Sequence, residues 1–177
     1  MATWIALLRG VGGGIRPLPM GELVKQLEGI GLKNVRTYIA TGNVVFSSTR
    51  AATRLAAEIE GCIEKKFGFH SNTFILSVDE LRRAAADNPF PQADATPQLL
   101  HLFFLAQPPK TPKLDAMNEL KTKSEQFVLK DKVFYFYTPD GFGISKLANK
   151  AEKLLGVDTT ARNWRTVGKL LELAKEE

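Results

Sequence analysis

The sequence predicts an α+β protein built from two ferredoxin-like (α/β-plait, βαββαβ) subdomains with antiparallel sheets. Three observations predict this fold class. Short β-rich runs alternate with stretches whose apolar residues recur at helical spacing. The order strand, helix, strand, strand, helix, strand covers residues 3–78, and the same order returns from residue 98 onward. The predicted organisation is an N-terminal plait subdomain at 1–78, a helix and linker at 79–97, and a C-terminal plait subdomain with a closing helix at 98–177.

The composition is that of an ordinary globular protein, since 44% of the 177 residues are hydrophobic and 24% are charged. The longest apolar stretch, 99–106, is too short to cross a bilayer, and the first residues lack the features of a signal peptide. We therefore expect a cytoplasmic protein that does not associate with membranes. The single cysteine, Cys62, excludes an internal disulfide, and neither a metal nor a cofactor is predicted.

The first unit opens with a predicted strand at 4–9, which runs into a loop rich in glycine and proline at 10–19. Apolar residues then recur at steps of three and four from Met20 to Ile30. This spacing predicts a helix with one buried face, and Gly31 is the expected stop.

A β-hairpin follows, formed by the β-rich runs 35–40 and 44–48. Thr41, Gly42 and Asn43 join the two runs. Because a tight hairpin turn needs positive φ angles, which glycine and asparagine tolerate, these residues are predicted to form the turn. A second helix at 55–67 and a strand at 73–78 complete the unit, and Asp79 is expected to cap the short helix that opens the linker.

The second unit repeats this order. Its predicted elements are a strand at 99–106, a helix at 112–121, a hairpin of 126–130 and 133–137 around Asp131, a helix at 144–155, a strand at 158–162 and a closing helix at 164–174. No sequence identity links the halves, so the predicted duplication concerns element order alone.

The net charge of +5 is concentrated in two segments. Residues 1–50 carry +4 and residues 141–170 carry another +4, whereas the remainder sums to −3. Such segments either form a solvated face or bind anions, and the sequence leaves both interpretations open.

The topology places the first charged segment around one end of a sheet. Arg9, Gly10 and the glycine run at 12–14 should lie beside Thr41 and Asn43, with the N-terminus of the first helix aimed the same way. Backbone amides of glycine approach a ligand closely, and a helix N-terminus favours negative charge, so this end suits an anion. The loop lacks the spacing of a P-loop or a dinucleotide fingerprint, and the glycines alternatively serve only a cramped crossover.

In the second unit, Ser145 and Lys146 at a helix start should lie near Arg162 and Asn163 at the end of the last strand. Ser145 is interpreted as a helix cap rather than a nucleophile. The spacing of Trp164 favours a place in the core, and the alternative is a partly exposed stacking platform.

Catalytic residues are not identified. His101 lies within an apolar strand and is interpreted as a hydrogen-bonded core residue. His70 follows the second helix at the glycine-rich end and is the one plausible general base there. Paired carboxylates and metalloprotease spacing are missing from the sequence, which argues against a glycosidase or a hydrolytic metalloenzyme. Whether the protein is an enzyme of another kind stays open.

Several stretches resemble, in order, the bacterial family called domain of unknown function 1697. They are ALLRGVGGG, NVRTYIATGNVVF, DNPFP, HLFFL, DGFGISKLANK and TTARNWRTVGKLLEL. The resemblance implies two α/β-plait subdomains and no assigned activity. Its motif positions fall on Arg9, Gly10, Arg36, Thr37, Tyr38, Gly42, Asn43, Asn88, Pro89, Phe90, Ser145, Lys146, Leu147, Thr160, Arg162, Asn163 and Trp164.

This chain departs from the family pattern at three places. The loop after the first strand is one residue shorter and lacks an asparagine, Thr41 stands where serine is usual, and Arg165 replaces an asparagine. The lost asparagine removes a group that a ligand could contact.

The leading functional hypothesis is a module that binds an anionic ligand, either a phosphorylated metabolite, a nucleotide or an RNA segment. The two motif clusters would face each other around it. The predicted ligand-binding residues are Arg9, Gly10, Arg36, Tyr38, Thr41, Asn43, Ser145, Lys146, Arg162, Asn163 and Trp164. The alternatives are an enzyme acting on a phosphorylated or carboxylated small molecule and an assembly protein without a ligand. Homo-oligomerisation is left open.

Overall fold

The structure is a computed structural model that describes residues 1–12, 14 and 16–175. Contacts between Cα atoms divide the chain into two compact units. Unit 1 comprises Met1–Ala85 together with the C-terminal stretch from Gly168, and unit 2 comprises Ala86–Val167.

Unit 1 contains a four-stranded antiparallel sheet with the strand order β2-β3-β1-β4. Its elements are β1 (Ala2–Leu8), α1 (Met20–Gly29), β2 (Lys33–Tyr38), β3 (Asn43–Ser48), α2 (Ala52–Phe67), β4 (Thr73–Ser77) and α3 (Val78–Ala86).

The core of unit 1 lies between this sheet and the helices α1 and α2. Every second residue of β1 and β3 faces the helices, because successive side chains of a strand point to opposite faces. The apolar residues of the two helices recur at steps of three and four, and their side chains pack against these strand residues. The buried side chains of this core include Ala6, Leu8, Leu23, Leu27, Val44, Phe46, Leu55, Ile59 and Ile63.

Unit 2 contains a second antiparallel sheet with the order β6-β7-β5-β8. Two 3-10 turns, Pro91–Asp94 and Pro97–Leu99, precede it. The remaining elements are β5 (Leu100–Leu105), α4 (Leu114–Leu120), β6 (Gln126–Lys130), β7 (Val133–Tyr137), α5 (Lys146–Leu155), β8 (Thr159–Asn163) and α6 (Trp164–Leu173), the last of which crosses the boundary between the units.

Aromatic rings dominate the core of unit 2. Phe103 meets Phe134 edge to face, with ring centroids 5.5 Å apart, and Phe127 packs against the same ring at 5.4 Å. Apolar side chains of α5, including Leu147 and Leu155, close this core. Edge-to-face and tilted arrangements are the favourable geometries of aromatic pairs, so these contacts stabilise the unit beyond simple burial.

The two units hold the end of their central strand in the same way. In unit 1, the amide of Leu8 donates to Gly42 O at 2.8 Å, and that of the next residue, Arg9, donates to Asn72 O at 3.0 Å. In unit 2, the equivalent amides of Leu105 and Ala106 have equivalent acceptors at 2.9 Å, which are Lys132 O and Asp158 O. The duplication therefore extends from element order to individual backbone hydrogen bonds.

The predicted fold class is confirmed, but two local predictions were wrong. Asn43 is the first residue of β3 rather than a turn residue with positive φ; the turn has positive φ at Ile39 and Gly42. Asp79 does not cap α3. Ser77 does, because its Oγ accepts from Glu80 N at 3.1 Å while the Glu80 carboxylate accepts from Ser77 N at 2.8 Å, forming a reciprocal capping box.

Candidate anion-binding site

Three segments of unit 1 meet where β1 ends. The residue that follows β1, Arg9, is held between the segments that precede β3 and β4. Its amide donates to Asn72 O at 3.0 Å, and its carbonyl accepts from Ser71 Oγ at 2.7 Å. Because hydrogen bonds fix both the amide and the carbonyl of Arg9, the position of the backbone that carries its half-buried side chain is defined.

The loop after Arg9 depends on glycine. Gly10, Gly12 and Gly14 have φ angles of 68°, 87° and 79°, a region that only glycine adopts without strain. Gly12 also lies against the β2–β3 turn so closely that a Cβ atom would collide with Ala40 O. Gly13, in the middle of the predicted run, lies outside the described residues.

Arg16 anchors the far side of this loop. Its Nη1 donates to His70 O at 2.9 Å, and its guanidinium carbon lies 5.5 Å from the centre of the Phe69 ring. The side chain is exposed and forms no ion pair within residues 1–12, 14 and 16–175. Arg16 thus offers a cation whose charge no neighbouring carboxylate of that part of the chain neutralises.

The other side chains at this end are oriented by local hydrogen bonds. His70 is exposed, and its Nε2 lies 2.8 Å from Asn72 Oδ1. Asn43 is fully buried and donates from Nδ2 to Tyr38 O at 3.1 Å and to Thr41 Oγ1 at 3.0 Å. Asn43 therefore closes the hairpin, while Thr41 stays exposed beside the loop.

Arg36 occupies a different part of the sheet. It pairs with Val45 of β3. The two neighbours of Val45 in that strand, Val44 and Phe46, have side chains that face the helices. By the alternation of a strand, Arg36 belongs to the second face of the sheet, and its Nε and Nη2 atoms are buried. Tyr38 ends β2 at the same sheet end as the loop.

The second predicted cluster lies around the start of β5. Ser145 caps α5, since its Oγ accepts from Ala148 N at 3.1 Å, and Lys146 is the exposed first residue of that helix. Asn163 ends β8 opposite His101. His101 in turn stacks on Phe142 in the loop before Ser145, with ring centroids 3.7 Å apart.

Arg162 and Trp164 in this cluster already have partners. The Nη1 of Arg162 donates to Thr160 Oγ1 and to Ala161 O, both at 2.8 Å. Burial lowers the pKa of Arg162 to about 10, so the guanidinium stays charged at neutral pH. Trp164 is half-buried, and its indole N–H donates to Asp94 Oδ1 at 2.9 Å.

His101 is a group that the sequence interpretation missed, because it was expected to be hydrogen-bonded in the core. Its Nδ1 is buried and has no hydrogen-bond partner among the described residues. Burial lowers the pKa of His101 to about 4, so the imidazole is neutral at physiological pH. An apolar strand pattern does not reveal whether a ring nitrogen finds a partner, so the sequence carried no signal for this.

The two clusters occupy ends of the sheets that are not equivalent. The first lies where the central strand of unit 1, β1, ends. The second lies where the central strand of unit 2, β5, begins, because α5 follows β7 and β7 is antiparallel to β5. The part of unit 2 that corresponds to the first cluster is therefore the segment around Ala106 and Asp158.

Other kinds of site find little support in residues 1–12, 14 and 16–175. No group of three or more histidine, cysteine or acidic side chains there is placed to hold a metal ion. None of the helices described is both long and apolar enough to span a membrane. A hollow of about 240 Å³ lies beside β6 in unit 2, bordered by Phe90, Lys121 and Glu125 among others.

Two βαββαβ units in one chain define an α+β protein of the plait class. The chain belongs to the family described as protein of unknown function (DUF1697), whose profile matches residues 1–135. A conserved bacterial protein, SP0830 from Streptococcus pneumoniae, has a similar structure with a TM-score of 0.71 and 21% identity, over 99% of both chains. At that identity the likeness shows the fold alone. The comparison with curated proteins gave no match.

Proposed function

We propose that unit 1 binds an anionic ligand, with a phosphate group as the simplest example, at the end of β1. The loop amides around Gly10 and the N-terminus of α1 would surround the anion, and Arg9 and Arg16 would supply charge. A helix N-terminus carries about half a positive charge, and hydrogen bonds from arginine to an oxyanion are each worth about 1.5–3 kcal/mol.

The comparison between the two units carries the proposal. Both units hold the end of the central strand with the same pair of backbone hydrogen bonds. Unit 2 does so with Ala106 and Asp158 where unit 1 has Arg9 and Asn72. The shared backbone geometry therefore requires neither an arginine nor a neutral residue there, and the positive charge at this strand end is a feature of unit 1 that unit 2 lacks.

The charge distribution supports the same conclusion. Between Glu28 and Glu58 the sequence contains no acidic residue, and none precedes Glu22. Arg50 and Arg54, by contrast, are both paired with Glu58, at 2.7 and 2.8 Å. The arginines of α2 and its approach thus serve a local ion-pair network, whereas Arg16 does not.

Ligand contacts in the second cluster stay a prediction. Ser145, Arg162 and Trp164 each have a local structural task, as a helix cap or as a donor to Thr160 or Asp94. Ser145 is buried and burial lowers the pKa of Arg162, whereas Arg16 in the first cluster is exposed and can reach a ligand. The proposal therefore concentrates on the first cluster.

The test is calorimetric titration with pyrophosphate, supported by thermal shifts. The parent protein should bind, and a ligand at about a hundred times its Kd should raise Tm by roughly 5–11 °C. Arg9→Ala, which copies the state of Ala106, and Arg16→Gln should each weaken binding at least about tenfold. Arg165→Gln is the matched control, because Arg165 is exposed in unit 2 and its loss changes the net charge equally.

Binding that is equally strong in Arg9→Ala and Arg16→Gln would reject this site. Absence of binding to pyrophosphate, phosphate and sulfate in the parent protein would reject anion binding itself and favour the assembly hypothesis. Arg9→Ala should keep the parent Tm without ligand, since unit 2 adopts the same strand end with an alanine. Arg16→Gln loses the contact with the Phe69 ring, so its Tm without ligand is measured separately and its loss of affinity is compared at a temperature at which it is folded.

A further inference from the structure

The turn between β2 and β3 contains a strained isoleucine. Ile39 has a φ angle of 48°, in the left-handed region that β-branched residues avoid. Its side chain is also 52% exposed, so packing does not compensate for the strain. Neither the local backbone nor burial explains an isoleucine at this position.

Unit 2 joins its corresponding strands by a shorter turn, whose first residue is left-handed without strain. There a two-residue turn, Asp131 and Lys132, joins β6 to β7, and its first residue has a φ angle of 50°. Aspartate tolerates this conformation because its short polar side chain can hydrogen-bond locally. The first turn residue is thus left-handed in both units, and only unit 1 has a β-branched residue there.

The strained turn lies against the proposed anion site. Ala40, the residue after Ile39, has its carbonyl oxygen directly against Gly12 in the loop that follows β1. Thr41 and Gly42 continue the turn, and Gly42 O accepts the amide that ends β1. Ile39 is therefore an exposed apolar side chain at the rim of a basic, glycine-lined loop.

We propose that Ile39 contacts an apolar portion of the ligand, so that the ligand is an anion joined to an apolar body rather than a bare anion. This inference rests on the proposed function and names the ligand class for that same site. A phosphate group held by the loop would leave the attached ring or chain beside the turn. Burying the side chain of Ile39 against it would offset the strain of the left-handed backbone.

The experiment compares three ligands that share a phosphate group. Inorganic phosphate has no apolar body, adenosine monophosphate carries a ring system, and hexyl phosphate carries an alkyl chain. The parent protein should bind at least one of the two organic phosphates about tenfold more tightly than inorganic phosphate. Ile39→Gly should abolish that preference and leave the affinity for inorganic phosphate unchanged. Whichever organic phosphate shows the preference identifies the apolar body as a ring or a chain.

Two controls separate recognition from stability. Ile39→Gly and Ile39→Asn should have a Tm equal to or above that of the parent, because both residues tolerate the left-handed region. Ile144→Gly replaces an isoleucine that is 76% exposed in unit 2, and should leave all three affinities unchanged.

Equal affinity for the three phosphates in the parent protein, or a preference that survives in Ile39→Gly, would overturn the inference and leave anion binding intact. A lower Tm in both Ile39 variants would show that the residue is structural. Failure of all three phosphates to bind would instead overturn the proposed function on which the inference rests.

Discussion

Glu60 in α2 accepts a hydrogen bond from the backbone amide of Thr73, the first residue of β4, at 2.8 Å. Glu152 in α5 accepts the equivalent bond from Thr159, the first residue of β8, also at 2.8 Å. In both units a helix carboxylate thus holds the start of the last strand. Bonds of this kind, with an ionised acceptor, are among the stronger ones in proteins.

Removing either carboxylate should destabilise the protein by a similar amount. We expect Glu60→Ala and Glu152→Ala each to lower the free energy of unfolding by about 1–3 kcal/mol, since a backbone donor at the strand start loses its partner. Urea denaturation measures this. Glu64→Ala, an exposed position in α2, should change it by less than about 0.5 kcal/mol. A small effect of both substitutions at Glu60 and Glu152 would contradict the shared role.

The contact between Gly12 and Ala40 predicts a large effect for a single methyl group. Gly12→Ala should lower the free energy of unfolding by at least about 2 kcal/mol, because the new Cβ would meet Ala40 O and the φ angle of 87° disfavours alanine. Gly21→Ala is the matched control. Nothing lies within 4 Å of a Cβ there, and the helical position of Gly21 in α1 should make alanine neutral or stabilising. Equal denaturation midpoints for the two variants would argue against the close approach.

His101 should make the protein sensitive to mild acid. Burial lowers the pKa of His101 from 6.5 to about 4 in the folded protein. Between these pH values the unfolded chain therefore binds a proton at His101 that the folded protein does not bind. The free energy of unfolding should therefore decrease as the pH falls from about 6.5 toward 4, by at most about 1.4 kcal/mol per pH unit.

His101→Phe, which keeps a ring to stack on Phe142, should remove this slope above pH 5. Carboxylates contribute to the pH dependence of stability mainly below pH 5. The pKa of Glu58, for instance, is lowered by its hydrogen bond from Arg54 and by the nearby charge of Arg50. An unchanged slope in His101→Phe would assign the acid sensitivity to other groups.

The serine at the start of α5 offers a test of the second cluster. Ser145→Ala should cost about 1 kcal/mol, because the amide of Ala148 loses its acceptor. Ser145→Asp should restore the stability, since aspartate is an equally good cap and favours the helix N-terminus. A stability unaffected by Ser145→Ala, combined with a loss of anion binding, would favour a ligand contact over a cap.

Strand and helix periodicity predicted the architecture because it follows directly from burial. The hairpin 126–130 and 133–137 appears with the predicted bounds, and Ser145 caps α5 as expected. The turn prediction failed in part because a residue acts against its own propensity. The turn was assigned to Thr41, Gly42 and Asn43; Gly42 does have a positive φ angle, but Asn43 begins β3, and the left-handed Ile39 was missed because its type disfavours that conformation.

Only part of the candidate site could be predicted from the sequence. Proximity of Arg9 to the segments before β3 and β4 follows from βαββαβ topology, and the backbone hydrogen bonds bear it out. The contact of Arg16 with His70 and Phe69 depends on the path of a glycine-rich loop, which no periodicity encodes. The unpartnered Nδ1 of His101 depends on packing details that a strand pattern does not contain.

The grouping of the C-terminal stretch from Gly168 with unit 1 affects how the chain matures during synthesis. Unit 2 is continuous from Ala86 to Val167, so a ribosome delivers all of it before the last part of unit 1 emerges. Unit 1 is discontinuous and must wait for a segment made after unit 2. The order of completion is thus the reverse of the order in which the two units begin.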